Sequence, residues 1–371
     1  MLNLGAMAFV RLTLVRCCAY LLTTHISIRY FMLSEAEKSP NPMTSQTCQT
    51  SPILIVVRNF TSQWFLIPQG TGIIALILHQ LDYQFTGLGI IADIFWVLTI
   101  VMLVSTITVY LLRTAMYPRE VASAISSDVS ESSCLSCIAI TFTSIIQMIA
   151  VTVVREWGSG WGIVAYVLWW INTAMTVLVC IGLPYIFVMY EPPGLQDLTP
   201  ATQLPLIAAL TSAAGGGVIC RYGALSYRLQ VPIILVSYLL IGVAIPLALS
   251  LDTVFLTRLL NKSAPTNGGV YQEMILCGPW GQGSFALQVL GQVVMRGSFA
   301  GYAKGIFLTA NAAQPVGYTS IFAGLLAWGQ GSFWWAFAII SITHAAIGKP
   351  GGLRAMKFGL LNWSLVFPWV C

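Results

Sequence analysis

Charge is what this sequence has least of. Asp, Glu, Lys and Arg make up 8% of its 371 residues, hydrophobic residues 57%, and the mean hydropathy is +0.82. A folded chain of that composition cannot cover itself with polar groups, which excludes an ordinary water-soluble domain. The sequence also lacks a G-x-x-x-x-G-K-[ST] phosphate loop, and with it the usual basis for direct ATP hydrolysis. Apart from Cys134-Leu-Ser-Cys137, no group of His, Cys, Asp and Glu has metal-ligand spacing, so neither a metal nor another cofactor is expected. The net charge of +5 comes from basic residues scattered singly, whereas nucleic acid calls for a basic patch. Among nine cysteines, Cys137, Cys180, Cys220 and Cys277 fall in apolar runs and read as small packing residues. The Cys134-Leu-Ser-Cys137 spacing lacks the βαβ context that would make it a redox motif.

What is present is a series of apolar runs close to or beyond the roughly 20 residues that cross a bilayer. Phe60–Leu78, Ile94–Leu112, Ser132–Val154, Trp157–Tyr190, Leu198–Cys220, Leu229–Leu251, Met274–Met295 and Gly305–His344 give eight complete spans, and Phe358–Cys371 begins a ninth. The fold class is therefore an all-α polytopic membrane protein embedded in the lipid bilayer. Arg58, Arg113, Arg119, Arg258, Lys262, Lys349, Arg354 and Lys357 fall on one side of these spans. The other side carries fewer, Arg155, Arg221, Arg228, Arg296 and Lys304, so the N-terminus is expected in the cytoplasm. The chain divides into a tail, 1–57, and a transmembrane domain, 58–371. Residues 1–31 carry Arg11, Arg16 and Arg29 without an acid, a composition shared by transit peptides and by an over-extended reading frame. Ser34–Pro52 is polar and reads as disordered.

Two spans carry the same interruption, Pro68-Gln69-Gly70-Thr71-Gly72 and Pro279-Trp280-Gly281-Gln282-Gly283. Such a break survives in a bilayer only where protein or a water-filled cavity satisfies the freed backbone. Interrupted segments in separate halves of a chain point to a transporter's binding site. Each break exposes backbone donors and a half-helix N-terminus of about half a positive charge, which suits an anion held weakly. Gly70, Thr71, Gly72, Ser212, Gly281, Gln282, Gly283 and Ser284 are the small or neutral residues expected to line the pathway. The alternative for any one of them is an ordinary helix-packing notch. His79, Arg155, Glu156, Asp252 and Arg258 are expected at span ends, snorkelling to the interface.

A set of ordered motifs carries a family resemblance. Arg58-Asn-Phe-Thr-x-x-Trp64-Phe65, Gly70-Thr71-Gly72-Ile73 and Arg113-x-x-x-Tyr117-Pro118 are followed by Trp169-Trp170-Ile171 and Gly182-Leu183-Pro184. Leu204-Pro205-Leu206-Ile207-Ala208, Val236-Ser237-Tyr238, Gly278–Gly283 and Trp363-Ser364-Leu365-Val366-Phe367-Pro368 complete the set. From Arg58 onward the chain resembles the tellurite-resistance/dicarboxylate transporter family, whose members include fungal sulfite efflux pumps, the yeast malic acid transporter and plant slow anion channels. The sulfite pumps are the nearest in wording. Gln69, where an apolar Met is expected, and the missing Pro-Gly pair in Ile138–Val154 depart from the pattern.

The resemblance implies ten helices in five repeated hairpins, the odd helices forming an inner ring around a central pore. It implies a multi-pass protein of the plasma membrane that moves a small anion, sulfite or bisulfite first, and is not an enzyme. It implies a homotrimer, and a gate at Phe367. A C4-dicarboxylate such as malate is the rival cargo, although the inner helices offer no fixed cation for it. A non-conducting, truncated relative is the rival of another class. Fourteen residues from Phe358 onward extend about 21 Å, short of a roughly 30 Å hydrocarbon core. This leads to the expectation of a fifth hairpin left open on one side, with Phe367 drawn toward water. It also leads to the expectation that Gly283→Leu blocks passage in a folded protein.

Overall fold

The computed structural model describes residues 52–189, 198–261, 270–305, 307–347 and 359–370. The readings placed on residues 1–51 lie outside them, as do Phe358 and Cys371. The described residues form α1 (Pro52–Arg58), α2 (Leu66–Gln80), α3 (Leu88–Met116), α4 (Pro118–Ser127), α5 (Val129–Trp157) and α6 (Gly160–Met189). Then come α7 (Leu204–Tyr222), α8 (Tyr227–Leu260), α9 (Gly278–Val293), α10 (Ala310–Ile347) and α11 (Val366–Val370).

Six rods are long and apolar enough to cross a membrane: α3, α5, α6, α8, α10 and the rod Pro200–Tyr222 that contains α7. The other two expected spans are composite. The α-helical parts, α2 and α9, have only 15 and 16 residues, but 3₁₀ turns at Ser62–Phe65 and Val270–Cys277 lead into them. At about 2.0 Å per residue for the turn and 1.5 Å for the helix, the rods reach about 30 Å and about 40 Å.

Burial sorts the rods by parity. The apolar windows of α5 and Pro200–Tyr222 are 83% and 100% buried, whereas those of α3, α6, α8 and α10 are 22%, 33%, 39% and 22% buried. Most of α2 and α9 is buried as well. The sequences explain the sorting. Inner α7 reads LPLIAALTSAAGGGVICRY, full of small residues that let backbones approach, while outer α3 presents large aliphatic side chains that lipid solvates.

The inner elements touch in cyclic order: α2 on α5, α5 on α7, α7 on α9, the α9 lead-in on Leu360–Leu365, and that segment with α11 back on α2. The ring is therefore closed. This corrects the expectation that Phe367 is pulled toward water, because Phe367 is 2% exposed. A Cβ on Gly70 would lie 3.0 Å from Val366, so this glycine admits the closing segment, while one on Gly278 would lie 2.8 Å from Ile207 of α7. On the outer side Trp369 meets Trp335 of α10 at 5.4 Å between ring centroids.

The prolines also require a correction. Pro68, Pro205, Pro279 and Pro368 sit in the first turn of α2, α7, α9 and α11, each behind a 3₁₀ turn, and Gly70–Gly72 and Gly281–Gly283 continue as regular helix. A first-turn proline lacks an N–H that would have no partner within the helix, so it starts the helix and does not break it.

At this end of the bundle Glu131 of α5 joins three elements. It accepts from Arg113 Nη1 of α3 at 2.7 Å, from the Ser62 backbone N–H at 2.9 Å and from Ser62 Oγ at 3.0 Å. Farther out, Arg58 and Glu120 pair in water, and hydrogen bonding to Arg58 holds the Glu120 carboxyl below its usual range. Both pairs unite residues or loops that the charge-sidedness argument placed on one face.

Removing one member of a buried ion pair strands the other. Arg113→Ala is expected to cost about 3–5 kcal/mol, while replacing Arg113 and Glu131 together by Leu should cost much less. Unfolding midpoints in detergent check this, and equal losses in the two variants would show that the pair is not what joins α3 to α5.

Candidate functional site

Between successive inner rods an outer rod returns, so all inner helices run the same way and start at one face. Their lead-in segments form a second closed ring: Ser62–Phe65, Val129–Cys134, Pro200–Gln203, Val270–Cys277 and Leu360–Leu365 touch in that order, and the last meets the first. Five parallel helix starts gather there, and those of α2, α5, α7 and α9, helices of 15 residues or more, each carry about half a positive charge. Within this ring Ser62, Glu131, Ser133, Gln203, Glu273 and Ser364 are buried. The Arg113 guanidinium neutralises Glu131, and Glu273 turns to Ser341 of outer α10. Ser133 Oγ, Gln203 Oε1, Gln272 Oε1 and Ser364 Oγ are buried without a hydrogen-bond partner. With Glu273 Oε2, these atoms gather at helix starts, where a polar ligand can be met, although others without a partner lie elsewhere in the bundle, on Gln69, Gln147 and Asn172 for example.

The residues expected to line a pathway are divided by the structure. Gly72 faces Thr99 of α3 and Ser144 of α5, where a Cβ would come within 3.1 Å of each. Gly283 faces Ile245 of α8 and Leu210 of α7, and Gly70 faces Val366. Ser212 points at outer α6, with its hydroxyl 3.0 Å from Thr173 Oγ1 and its carbonyl accepting from Trp169 Nε1 at 2.9 Å. These four make contacts between helices. The backbone nitrogen of Gly281 lies near Gly331 of α10, and Ser284 Oγ accepts from Gln288 at 3.0 Å, so the lining role of these two is not brought out either.

Thr71 and Gln282 fit better. Thr71 is buried and returns its hydroxyl to the Ile67 carbonyl at 2.9 Å. Gln282 is also buried, and at 100° per residue it lies about 160° around α9 from Trp280, which faces α10. Phe367 stands in the first turn of the closing element.

Three functional candidates were missed by sequence reasoning. Gln69, read only as a departure from a pattern, is a buried amide of α2 whose Oε1 meets no partner. Gln203 belongs to the lead-in ring. Asp252, expected to snorkel, is 3% exposed inside α8 because that helix continues to Leu260. A run of apolar residues on both sides of a lone acid was the available signal.

With Gly283 a packing contact, Gly283→Leu is expected to destabilise the protein and not to plug it. Ile245 can swing aside for an Ala methyl at 2.6 Å, but a Leu overfills the site by about 1–3 kcal/mol. Thermal midpoints should fall little for Gly283→Ala and clearly for Gly283→Leu. A Leu variant as stable as the parent would return Gly283 to an open pathway.

The family model for the voltage-dependent anion channel matches residues 59–371. The sulfite efflux pump of Arthroderma otae is 31% identical over 316 residues, covering 85% of this chain and 80% of that protein. The sulfite efflux pump of Trichophyton rubrum is 30% identical over 314 residues with the same coverage, 85% and 80%. The malic acid transport protein of Schizosaccharomyces pombe is 21% identical over 317 residues, covering 85% of this chain and 70% of that protein. A match spanning the closed ring, the lead-in turns and the terminal Phe-Pro segment leaves one conclusion: this chain belongs to the voltage-dependent anion channel family.

Proposed function

We propose that this chain exports sulfite or bisulfite across the plasma membrane, along the axis enclosed by the inner ring. The observation that carries the reading is the ring of five parallel helix starts, which concentrates positive potential at one mouth. Two relatives near 30% identity bear the name sulfite efflux pump, which favours sulfite over the malate named in a relative at 21%. Non-neighbouring inner elements make few contacts, as members of a ring around an axis would. Gln282 and Thr71 supply neutral polar groups along that axis, and Phe367 is its gate. Membership of a channel family supports a conductor, not a catalyst. The segment 58–371 is the conducting domain, three copies assemble, and the tail 1–57 stays in the cytosol.

Expression in a sulfite-sensitive fungus should raise tolerance and speed sulfite release. Vesicles holding the purified chain should take up sulfite faster than malate. Faster malate uptake would exchange the cargo, and no flux of either from correctly inserted protein would remove the function. Phe367→Ala should widen the path and raise flux several-fold. If Phe367 only packs, the substitution instead costs about 3–5 kcal/mol of stability with no gain in flux.

A further inference from the structure

Asp252 plays no part in the anion reading above, yet it is a buried acid whose two carboxylate oxygens meet three side-chain donors. It lies against Phe255, Trp280 and Trp334 in an apolar cluster. Its Oδ2 accepts from Trp280 Nε1 at 2.6 Å and Trp334 Nε1 at 2.8 Å, while its Oδ1 lies 2.6 Å from the Gln203 amide. Gln203 is fully buried in the lead-in ring, and the other atom of its amide, Oε1, meets no partner. Asp252 thus reaches Gln203 from outer α8, and the second atom of the amide is left without a partner within the lead-in ring.

A side-chain amide carries a donor and an acceptor in nearly equivalent positions, and a half-turn exchanges them. At 2.6 Å the contact is short for N–H···O and ordinary for O–H···O, so the same separation serves either arrangement. With Asp252 ionised, the Gln203 NH₂ donates to Oδ1 and the carbonyl oxygen is left free. With Asp252 protonated, its O–H donates to the Gln203 oxygen, and the NH₂ becomes the free group. A buried carbonyl repels an anion, and a buried N–H attracts one.

We propose that Asp252 and Gln203 form a proton-linked switch, in which one proton taken up by Asp252 turns the Gln203 amide and adds an anion-facing donor to the lead-in ring. The proposal rests on the anion-carrier reading. By linkage, anion binding then favours protonation to the same degree, so sulfite and a proton bind together. Other titratable or charged groups stand on the surrounding elements. Arg258 on α8 donates to the Leu198 carbonyl, Glu273 and Cys277 belong to the α9 lead-in, and His344 ends α10. Val129–Cys134 brings Cys134 and Glu131, the latter held by Arg113, while Pro200–Gln203 and Leu360–Leu365 bring none.

The test measures sulfite flux from vesicles at mildly acidic and mildly alkaline pH for the parent, Asp252→Asn, Gln203→Met and Glu273→Gln. Dividing each variant by the parent at the same pH cancels the titration of sulfite itself. Asn at 252 donates to the Gln203 oxygen and holds the turned amide, so its flux should stay high in alkali. Gln203→Met leaves the acid without the amide, and its flux should stay low in acid. Both quotients should change by about fivefold or more between the two pH values, the lower edge of ordinary linkage. Glu273→Gln, whatever its overall flux, should give the same quotient at both pH values. Constant quotients for Asp252→Asn and Gln203→Met, or loss of the pH response in Glu273→Gln alone, would overturn the switch while sparing the anion reading. A parent without sulfite flux would overturn both.

Discussion

Backbone donors at the start of a helix have to find partners, and inside a bilayer water cannot supply them. The arrangement of the bundle follows from how five inner elements meet that constraint. Short i→i+3 bonds satisfy part of the need, as in Trp64 N–H to the Thr61 carbonyl at 3.3 Å, Thr202 to Thr199 at 3.0 Å and Asn362 to Gly359 at 3.0 Å. A first-turn proline removes one donor from α2, α7, α9 and α11. Side chains take others: Glu131 accepts from the Ser62 backbone, and Asp128 caps α5 through Ser130 at 2.8 Å. Whatever donors remain stand at the positive ends of parallel dipoles, inside a closed ring.

The same constraint explains why so much of the fold was legible. Apolar runs between charges mark the rods, because a charge at membrane depth is expensive wherever it lacks a partner. The parity of inner and outer rods shows in composition, since Gly, Ala, Ser and Thr collect in α7 while Ile, Leu and Val collect in α3. Failures occurred where the cost was met by a partner distant in sequence. Arg113 and Glu131 are 18 residues apart, and Asp252 takes its donors from residues 28, 49 and 82 positions away. No local pattern announces such a site.

Glycine shows the limit from the other direction. Gly70 and Gly72 lie 200° apart around α2, so one accommodates the closing segment and the other accommodates α3 and α5. The alternation that suggested a bore lined with backbone is what an inner helix needs when neighbours crowd it from two sides. Sequence fixes the spacing of small residues but not the direction in which they point. In a ring, both tangential directions are occupied by protein, and only the remaining narrow face looks inward.

The charge distribution also accounts for the absence of a lysine in the bore. Helix starts make one mouth positive, but the same dipoles leave about half a negative charge at each helix end, which would bar an anion from the other mouth. Basic residues occupy the last turn there: His79 ends α2, Arg155 ends α5, Arg221 ends α7, and Arg296 follows α9. Arg221 is fixed in place by Gln292 at 2.7 Å. On the anion reading proposed above, both mouths would favour an anion, one through backbone and one through side chains, with Glu156 beside Arg155 the opposing charge at the second. A fixed cation midway would deepen the well and slow release, so conduction is better served by attraction at the ends and weak binding within.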